Sequence, residues 1–215
     1  MFIYIIVFSI LSYLLGSFSS AYWYGKWFFN LDVRNEGSGN AGTTNVLRTF
    51  GIVPAIFVFL TDVAKSFISV TLIIFIPNIV YNSEMYFLIK ILFGSCAIIG
   101  HLFPLYSHFK GGKGVASMLG MILAISPLSA SVALSIFIII LLTTKIVSIS
   151  SISAAVFFPI IIMLNNSEKS LILTIFSFAA CILIIVTHRK NIKKLIHKEE
   201  KKISFSKKRK ENRIK

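Results

Sequence analysis

The chain alternates long apolar runs with short polar breaks. Apolar segments cover residues 2–24, 51–76, 86–106, 115–126, 128–144, 147–164 and 170–187. A run such as SLILTIFSFAACILIIV (170–186) approaches the roughly 20 residues that a helix needs to cross hydrocarbon. The period-2 alternation of barrel strands is lacking, so the pattern predicts an all-α integral membrane protein. Residues 115–126 and 128–144 form one stretch broken at Ser126 and Pro127, which predicts either a short helical hairpin or one kinked helix.

Composition agrees with this pattern, since 56% hydrophobic and 14% charged residues, with mean hydropathy +0.83, exceed what an ordinary soluble domain carries. The net charge of +14 changes the picture only through its location, because thirteen of the 22 Lys and Arg residues lie from Arg189 onward. A basic tail directly after an apolar span predicts a cytoplasmic end in contact with anionic headgroups. Phe205 is the tail's only aromatic residue, so it lacks the stacking platforms of a nucleic-acid binder.

Charge also sets the number of spans. Seven transmembrane helices with the N-terminus outside and the C-terminus cytoplasmic put Lys26, Arg34, Arg48, Lys110, Lys113 and Lys145 in inside loops, leaving Lys169 outside. Six spans would move the first two basic loops outside, against the positive-inside tendency. No basic residue precedes Lys26, so residues 1–24 are expected to be a retained span rather than a cleaved signal. One polytopic domain over 1–203 and a basic cytoplasmic tail over 204–215 are expected. Cys96 and Cys181 fall inside apolar runs and imply neither disulfide nor metal.

This topology gathers the unusual polar stretches on the inner face. DVRNEGSGNAGTTNVLRTFG (32–51) surrounds Ser38, Asn40, Thr43, Thr44, Asn45 and Arg48 with four glycines. It reads either as an anion-receiving loop and helix start or as a polar turn with an N-cap and a solvated arginine. GHLFPLYSHFKGGKGVAS (100–117) puts His101 near the inner face, His108 on the surface, and Lys110 and Lys113 among Gly111, Gly112 and Gly114. Glycine lets successive backbone N–H groups turn toward one anion, and lysine supplies the matching charge. Both lysines can equally be positive-inside anchors.

THRKNIKKLIHKEEKK (187–202) predicts an amphipathic interfacial helix that puts His188 and Asn191 on one face, with Glu200 able to brace basic side chains. Ser148, Ser150, Ser151 and Ser153 can line a polar pocket or bind helices together. Asp62 and Lys65, three residues apart in the second span, are expected to pair at membrane depth, where an ionisable residue carries functional weight by default.

Several chemistries are excluded. The nucleotide loop GxxxxGK[ST] fails because Ser107 occupies the first glycine position and Gly114 follows the lysine. No G-x-S-x-G elbow occurs. Five residues beyond each histidine stand Tyr106, Lys113, Lys193 and Lys202, so the sequential His-and-Asp pair of many acyltransferases is absent. Metal-ligand spacing is lacking, and eight acidic residues leave little for a magnesium site. What remains is an inner-face pocket rich in anion donors and poor in bases, suited to substrates that bring their own leaving group.

These residues resemble the bacterial acyl-phosphate-dependent glycerol-3-phosphate acyltransferases, the PlsY family. GSGNAGTTNVLR resembles its first motif, GHLFPLYSHFKGGKGVAS its second, and HRKNIKKL with Glu200 its third. The resemblance implies transfer of a fatty acyl group from acyl phosphate to the 1-hydroxyl of glycerol 3-phosphate, with no cofactor or metal, at the cytoplasmic face of the bacterial inner membrane. It implies first-motif contacts from Ser38, Asn40, Asn45 and Arg48, and a second cradle of Lys110, Gly111, Gly112, Lys113 and Gly114. His101, His188, Asn191 and Ser38 are the implied catalytic residues, with Glu200 as support. The lipid bilayer and the acyl-phosphate-producing enzyme PlsX are the implied partners. The sequence departs from the family pattern at Thr43, Ser66 and Lys198, the last replacing a glycine. A transporter of a small organic phosphate would use the same loops as its binding site, and is the competing expectation.

Overall fold

The computed structural model describes residues 1–165 and 169–203, so the expected basic tail at 204–215 lies outside the described residues. All regular structure among them is helical. The first apolar run breaks into α1 (Phe2–Ser17) and α2 (Ser20–Phe29), bent by 41°. A polar loop leads into the short α3 (Thr43–Thr49), which Phe50 and Gly51 join to α4 (Ile52–Thr71). Helix α5 (Glu84–Leu102) starts at Ser83, whose hydroxyl accepts from the Tyr86 N–H. Helices α6 (Val115–Ile125), α7 (Pro127–Thr144), α8 (Val147–Leu164), α9 (Leu171–Thr187) and α10 (Arg189–Ile196) follow, with α10 turned 62° from α9.

The other predicted apolar segments each form one helix, whereas the first, expected as a single span over 2–24, breaks at Phe18 and Ser19 and continues to Phe29. Among the described residues four helices are long and apolar enough to cross a membrane, or up to six if each bent pair is one span. Helix α6 has 11 residues, about 16 Å of rise against a hydrocarbon core of about 30 Å. The break between α6 and α7 falls at Ser126, with Pro127 at the first helical position, where its missing N–H is not needed. Ser126 is buried there, and its hydroxyl and that of Ser129 are joined by the Asn165 amide.

Helix α1 packs on α5, α4 on α6, and α8 between α7 and α9. Small residues permit these approaches. A Cβ on Gly16 would lie 2.1 Å from the Ala97 carbonyl oxygen, and one on Gly120 would lie 2.0 Å from that of Val63. Lipid offers helices no hydrophobic drive to associate, so close backbone packing takes that role. Large apolar side chains such as Ile3, Val53 and Leu142 point outward, as a multi-pass membrane protein requires. On one rim Glu84 accepts from the Ser170 hydroxyl and from the Leu171 and Ile172 N–H groups, capping α9 from α5.

Candidate active site

The first polar loop is built around Asn45, which is 1% exposed. Its amide donates to the Val33 and Glu36 carbonyls, both at 2.9 Å, and its Oδ1 accepts from the Ser38 N–H at 2.8 Å. An asparagine amide has two donor hydrogens, and both are committed. Asn45, expected as a phosphate contact, therefore has no donor left for an anion and instead shapes the loop carrying Ser38 and Asn40. The helix that follows is capped by Gly42, and the buried Thr43 hydroxyl has no protein partner among the described residues.

Arg34 ties this loop to the next. It pairs with Asp32 through two nitrogens, lies over the Tyr22 ring, and donates to the Ser107 carbonyl at 2.6 Å. Its hydrogen bond lowers the Asp32 carboxyl below its ordinary range, and Asp32 in turn raises the guanidinium. Sequence reading gave Arg34 only a topological role. The Asp-x-Arg spacing, which allows a local bidentate pair, was the available signal.

The glycines of the second loop serve a purpose other than the one expected. The Gly111 N–H donates to the Leu102 carbonyl and the Gly112 N–H to that of His101, both at 3.2 Å. These two amides donate to carbonyls at the end of α5, which have no N–H donors within their own helix, so neither is turned toward an anion. Glycine is required by proximity: a Cβ on Gly111 would lie 1.9 Å from the His101 carbonyl oxygen, and one on Gly112 would lie 2.2 Å from His101 Nε2. Gly114 alone of the three takes a left-handed φ, +83°, and it starts α6. The first-turn N–H groups of α6 precede any helical acceptor and carry the positive end of its dipole.

His101 itself is buried at the base of this loop. Its Nδ1 lies 3.0 Å from Lys65 Nζ and 3.5 Å from Asp62 Oδ1. The expected Asp62–Lys65 pair forms at 2.8 Å. A histidine and an aspartate thus meet in space although no sequential His-and-Asp motif exists, because α4 and α5 pack side by side.

The third stretch closes over the second. Lys113 donates to Asn191 Oδ1, Asn191 Nδ2 donates to Glu200 Oε1 at 2.8 Å, and Arg48 lies 3.9 Å from the same carboxylate oxygen. Arg48 also donates to the Lys201 carbonyl at 3.0 Å. The return of the chain passes through Lys198, which takes a left-handed φ of +57°, the conformation that explains a glycine at this position in the family pattern. Burial lowers the Lys113 ammonium to about 8, with Glu200 raising it and Arg48 lowering it. His188 is 3% exposed, and its Nδ1–H donates to the Ile184 carbonyl at 2.8 Å. Burial first, and then the Lys113 charge, push its ring down to about 4, so it is neutral with Nε2 as its lone-pair nitrogen.

The expected residues fall into two neighbourhoods. Lys113, Arg48, Asn191, Glu200 and His188 gather on one side. Lys110 and Gly111 line a polar cleft of about 420 Å³ with Asp32, Arg34, Asn35, Gly39 and His108. Ser38 is exposed and Asn40 half-buried in the loop between them. An apolar groove of about 110 Å³ is lined by Val115, immediately after the loop, together with Leu119, Phe59, Phe137, Phe158 and Ile184. Ser150 and Ser151 donate to carbonyls of their own helix, those of Ile146 and Val147, and Ser151 lines the apolar groove.

Comparison with known proteins gives the family of the chain. The family model described as glycerol-3-phosphate acyltransferase matches residues 6–198. A glycerol-3-phosphate acyltransferase of Trichodesmium erythraeum is 40% identical over 150 residues, which cover 64% of this chain and 66% of that protein. One of Prochlorococcus marinus (strain MIT 9515) is 41% identical over 199 residues, covering 93% of this chain and 97% of that protein. The crystal structure of PlsY (YgiH), an integral membrane glycerol 3-phosphate acyltransferase, in its glycerol 3-phosphate form has a TM-score of 0.83 and 31% identity over 93% of this chain and 96% of its own. The same protein has also been solved in a lysophosphatidic acid form. With the family model spanning nearly all of the helical chain and a solved member matching its fold, the chain belongs to the PlsY family of glycerol-3-phosphate acyltransferases.

Proposed function

We propose that the chain transfers a fatty acyl group from acyl phosphate to the 1-hydroxyl of glycerol 3-phosphate, giving lysophosphatidic acid and phosphate. The observation that carries this reading is adjacency. Lys113, joined through Asn191 and Glu200 to Arg48, stands two residues before Val115, which lines the apolar groove, so a phosphate and an alkyl chain on one molecule can be bound together. Lys110, on the other side of the same loop, faces a separate polar cleft, which suits a second phosphate.

The chemistry follows from the donor. Acyl phosphate is a mixed anhydride, so its carbonyl is already activated, and the protein has to orient the hydroxyl and stabilise the departing phosphate. Lys113, Arg48 and the first turn of α6 hold the leaving phosphate, while Ser38, Asn40, Lys110 and Asn191 position substrate. Glu200 fixes Asn191 and Arg48, and Asn45 fixes the Ser38 loop. The hydroxyl oxygen attacks the carbonyl carbon and the bond to the phosphate oxygen breaks. The hydroxyl proton passes to a phosphate oxygen, whose second pKa near 6 makes it a better base than His188 at about 4. No acyl-enzyme forms.

Topology supports seven spans with the N-terminus outside and the C-terminus cytoplasmic. Arg34 reaches Ser107, Lys113 reaches Asn191 and Arg48 reaches Lys201, so the three polar stretches meet at one end of the bundle. The chain between the second and third stretches must then cross an even number of times. Helices α7, α8 and α9 supply three passes, and α6 supplies the fourth despite its length. Its buried ends at Gly114 and Ser126 lie inside the protein, where irregular backbone is tolerated. The positive-inside tendency puts the site on the cytoplasmic face of the bacterial inner membrane, where an enzyme of the PlsX type would deliver acyl phosphate.

The test uses purified protein in lipid with palmitoyl phosphate and glycerol 3-phosphate, following phosphate release for the wild type and Lys113→Ala. Release that needs both substrates, survives chelator and collapses in the variant is expected. No release, together with counterflow of glycerol phosphate across proteoliposomes, would replace this reading with transport.

A further inference from the structure

The buried Asp62–Lys65 pair sits beneath the second signature loop without touching either phosphate neighbourhood. Lys65 Nζ has three neighbours: Asp62 Oδ1 at 2.8 Å, the Phe18 carbonyl at 3.0 Å and His101 Nδ1 at 3.0 Å. Asp62 is 1% exposed and Lys65 6%, and the Ser20 hydroxyl donates to the same Asp62 oxygen at 2.8 Å. An ammonium carries three hydrogens and no lone pair. Beside a carboxylate at 2.8 Å it gives one hydrogen to each neighbour, so His101 Nδ1 is an acceptor. The 3.5 Å approach of Nδ1 to Asp62 is then two acceptors bridged by one ammonium, and the ring hydrogen of neutral His101 is on Nε2.

The other side of the ring faces the site. A Cβ on Gly112 would lie 2.2 Å from Nε2 and 2.8 Å from the Ala41 carbonyl oxygen, so the Nε2 edge lies where the first and second loops come together. The His101 carbonyl also accepts from the Gly112 N–H. The break between α1 and α2 contributes the Phe18 carbonyl, so three helices and both loops converge on one imidazole.

We propose that Asp62 and Lys65 are positioning residues for acyl transfer: they fix His101 as a neutral Nε2–H donor against the meeting point of the two loops. This rests on the acyltransferase reading for its kinetic consequence, and on geometry alone for its protonation consequence. It makes His101 a fixed donor, unable to take the substrate proton, which distinguishes it from His188, whose Nδ1–H is the committed one. Outer-shell partners that set the tautomer and orientation of a working histidine are commonly worth about 10- to 100-fold in activity.

The test begins with full-length wild-type protein, labelled with 15N-histidine in lipid nanodiscs, the His101 signals being identified by their loss in His101→Gln. A pyrrole-type Nε2 and a pyridine-type Nδ1, unchanged through neutral pH, are expected. A protonated Nδ1, or an imidazolium, overturns the proposal before any variant is made. Lys65→Met alone strands a buried carboxylate, so the kinetic test uses Asp62→Asn/Lys65→Met, which removes both charges together. Its His101 signals should show mixed tautomers, and kcat/KM for glycerol 3-phosphate should fall by about ten-fold or more. Lys65→Arg, which keeps a cationic donor, should recover part of that loss. Wild-type kinetic constants in the double variant overturn the proposal. A wild type that releases no phosphate defeats the acyltransferase reading instead, and the tautomer result stands apart from it.

Discussion

An alkaline titration separates Lys113 from the other cations of the site. Burial lowers its ammonium to about 8 from an ordinary 10.5, with Glu200 raising it and Arg48 and Lys194 lowering it. One unit below that midpoint about nine-tenths of the lysine is charged, and one unit above it about one-tenth. If the ammonium holds the leaving phosphate of the donor, kcat/KM for palmitoyl phosphate falls roughly ten-fold across those two units, because this ratio reports the free enzyme. The substrate does not produce the limb itself, since a phosphate with its second pKa near 6 is already a dianion there. Unfolding does not produce it either. Between about 8 and 10.5 the unfolded chain binds more protons at Lys113 than the folded one, so this group's contribution to stability rises with pH. The assay is phosphate release at varied palmitoyl phosphate and saturating glycerol 3-phosphate for the wild type, Glu200→Gln and Lys113→Arg. Removing the Glu200 charge should move the limb to lower pH. Arginine does not deprotonate in this range, so Lys113→Arg should abolish the limb even if its activity is lower throughout. A flat wild-type profile, or a limb that persists in Lys113→Arg, refutes the assignment.

Other substitutions test other parts of the structure. The His188 ring should titrate by NMR with a midpoint of about 4, and stability linked to it should be full above its ordinary 6.5 and decline as pH falls toward 4; a midpoint near 6.5 would mean a solvated ring. Asn45→Ala removes three hydrogen bonds and should cost about 2–3 kcal/mol in thermal or denaturant unfolding, at about 1 kcal/mol each, together with a raised KM for glycerol 3-phosphate. An unchanged KM would separate that loop from the substrate. Lys198→Gly relieves a left-handed backbone and should stabilise by about 1 kcal/mol without lowering kcat, a gain absent if the loop re-forms otherwise. Gly120→Val drives a side chain into the Val63 carbonyl and should lose about 1–3 kcal/mol or more by separating α6 from α4, so wild-type unfolding would show that this contact can give way.

The amino-acid sequence by itself determined that the apolar runs are helical, though not the break at Phe18 and Ser19, because apolar runs bounded by Gly, Pro and polar residues leave backbone no other way to satisfy its hydrogen bonds in lipid. It also marked the signature loops, as short stretches rich in Gly, Lys, Arg and Asn between apolar runs, and the Asp62–Lys65 pair, which is local at three residues' separation. Tertiary structure decided what each polar group was free to do. Asn45 became a loop anchor, because its two donors met carbonyls that the pattern could not reveal. The amides of Gly111 and Gly112 went to the end of α5, and those glycines are needed for the closeness of His101 rather than for a cradle. Lys110 and Lys113, three positions apart, parted into two neighbourhoods because the loop turns into α6 between the bundle and the polar cleft. His101 met Asp62 only because α4 lies beside α5. A one-dimensional pattern records which groups can donate or accept. Which partner each one takes depends on distances of about 3 Å between residues far apart in the chain, and packing alone sets those distances.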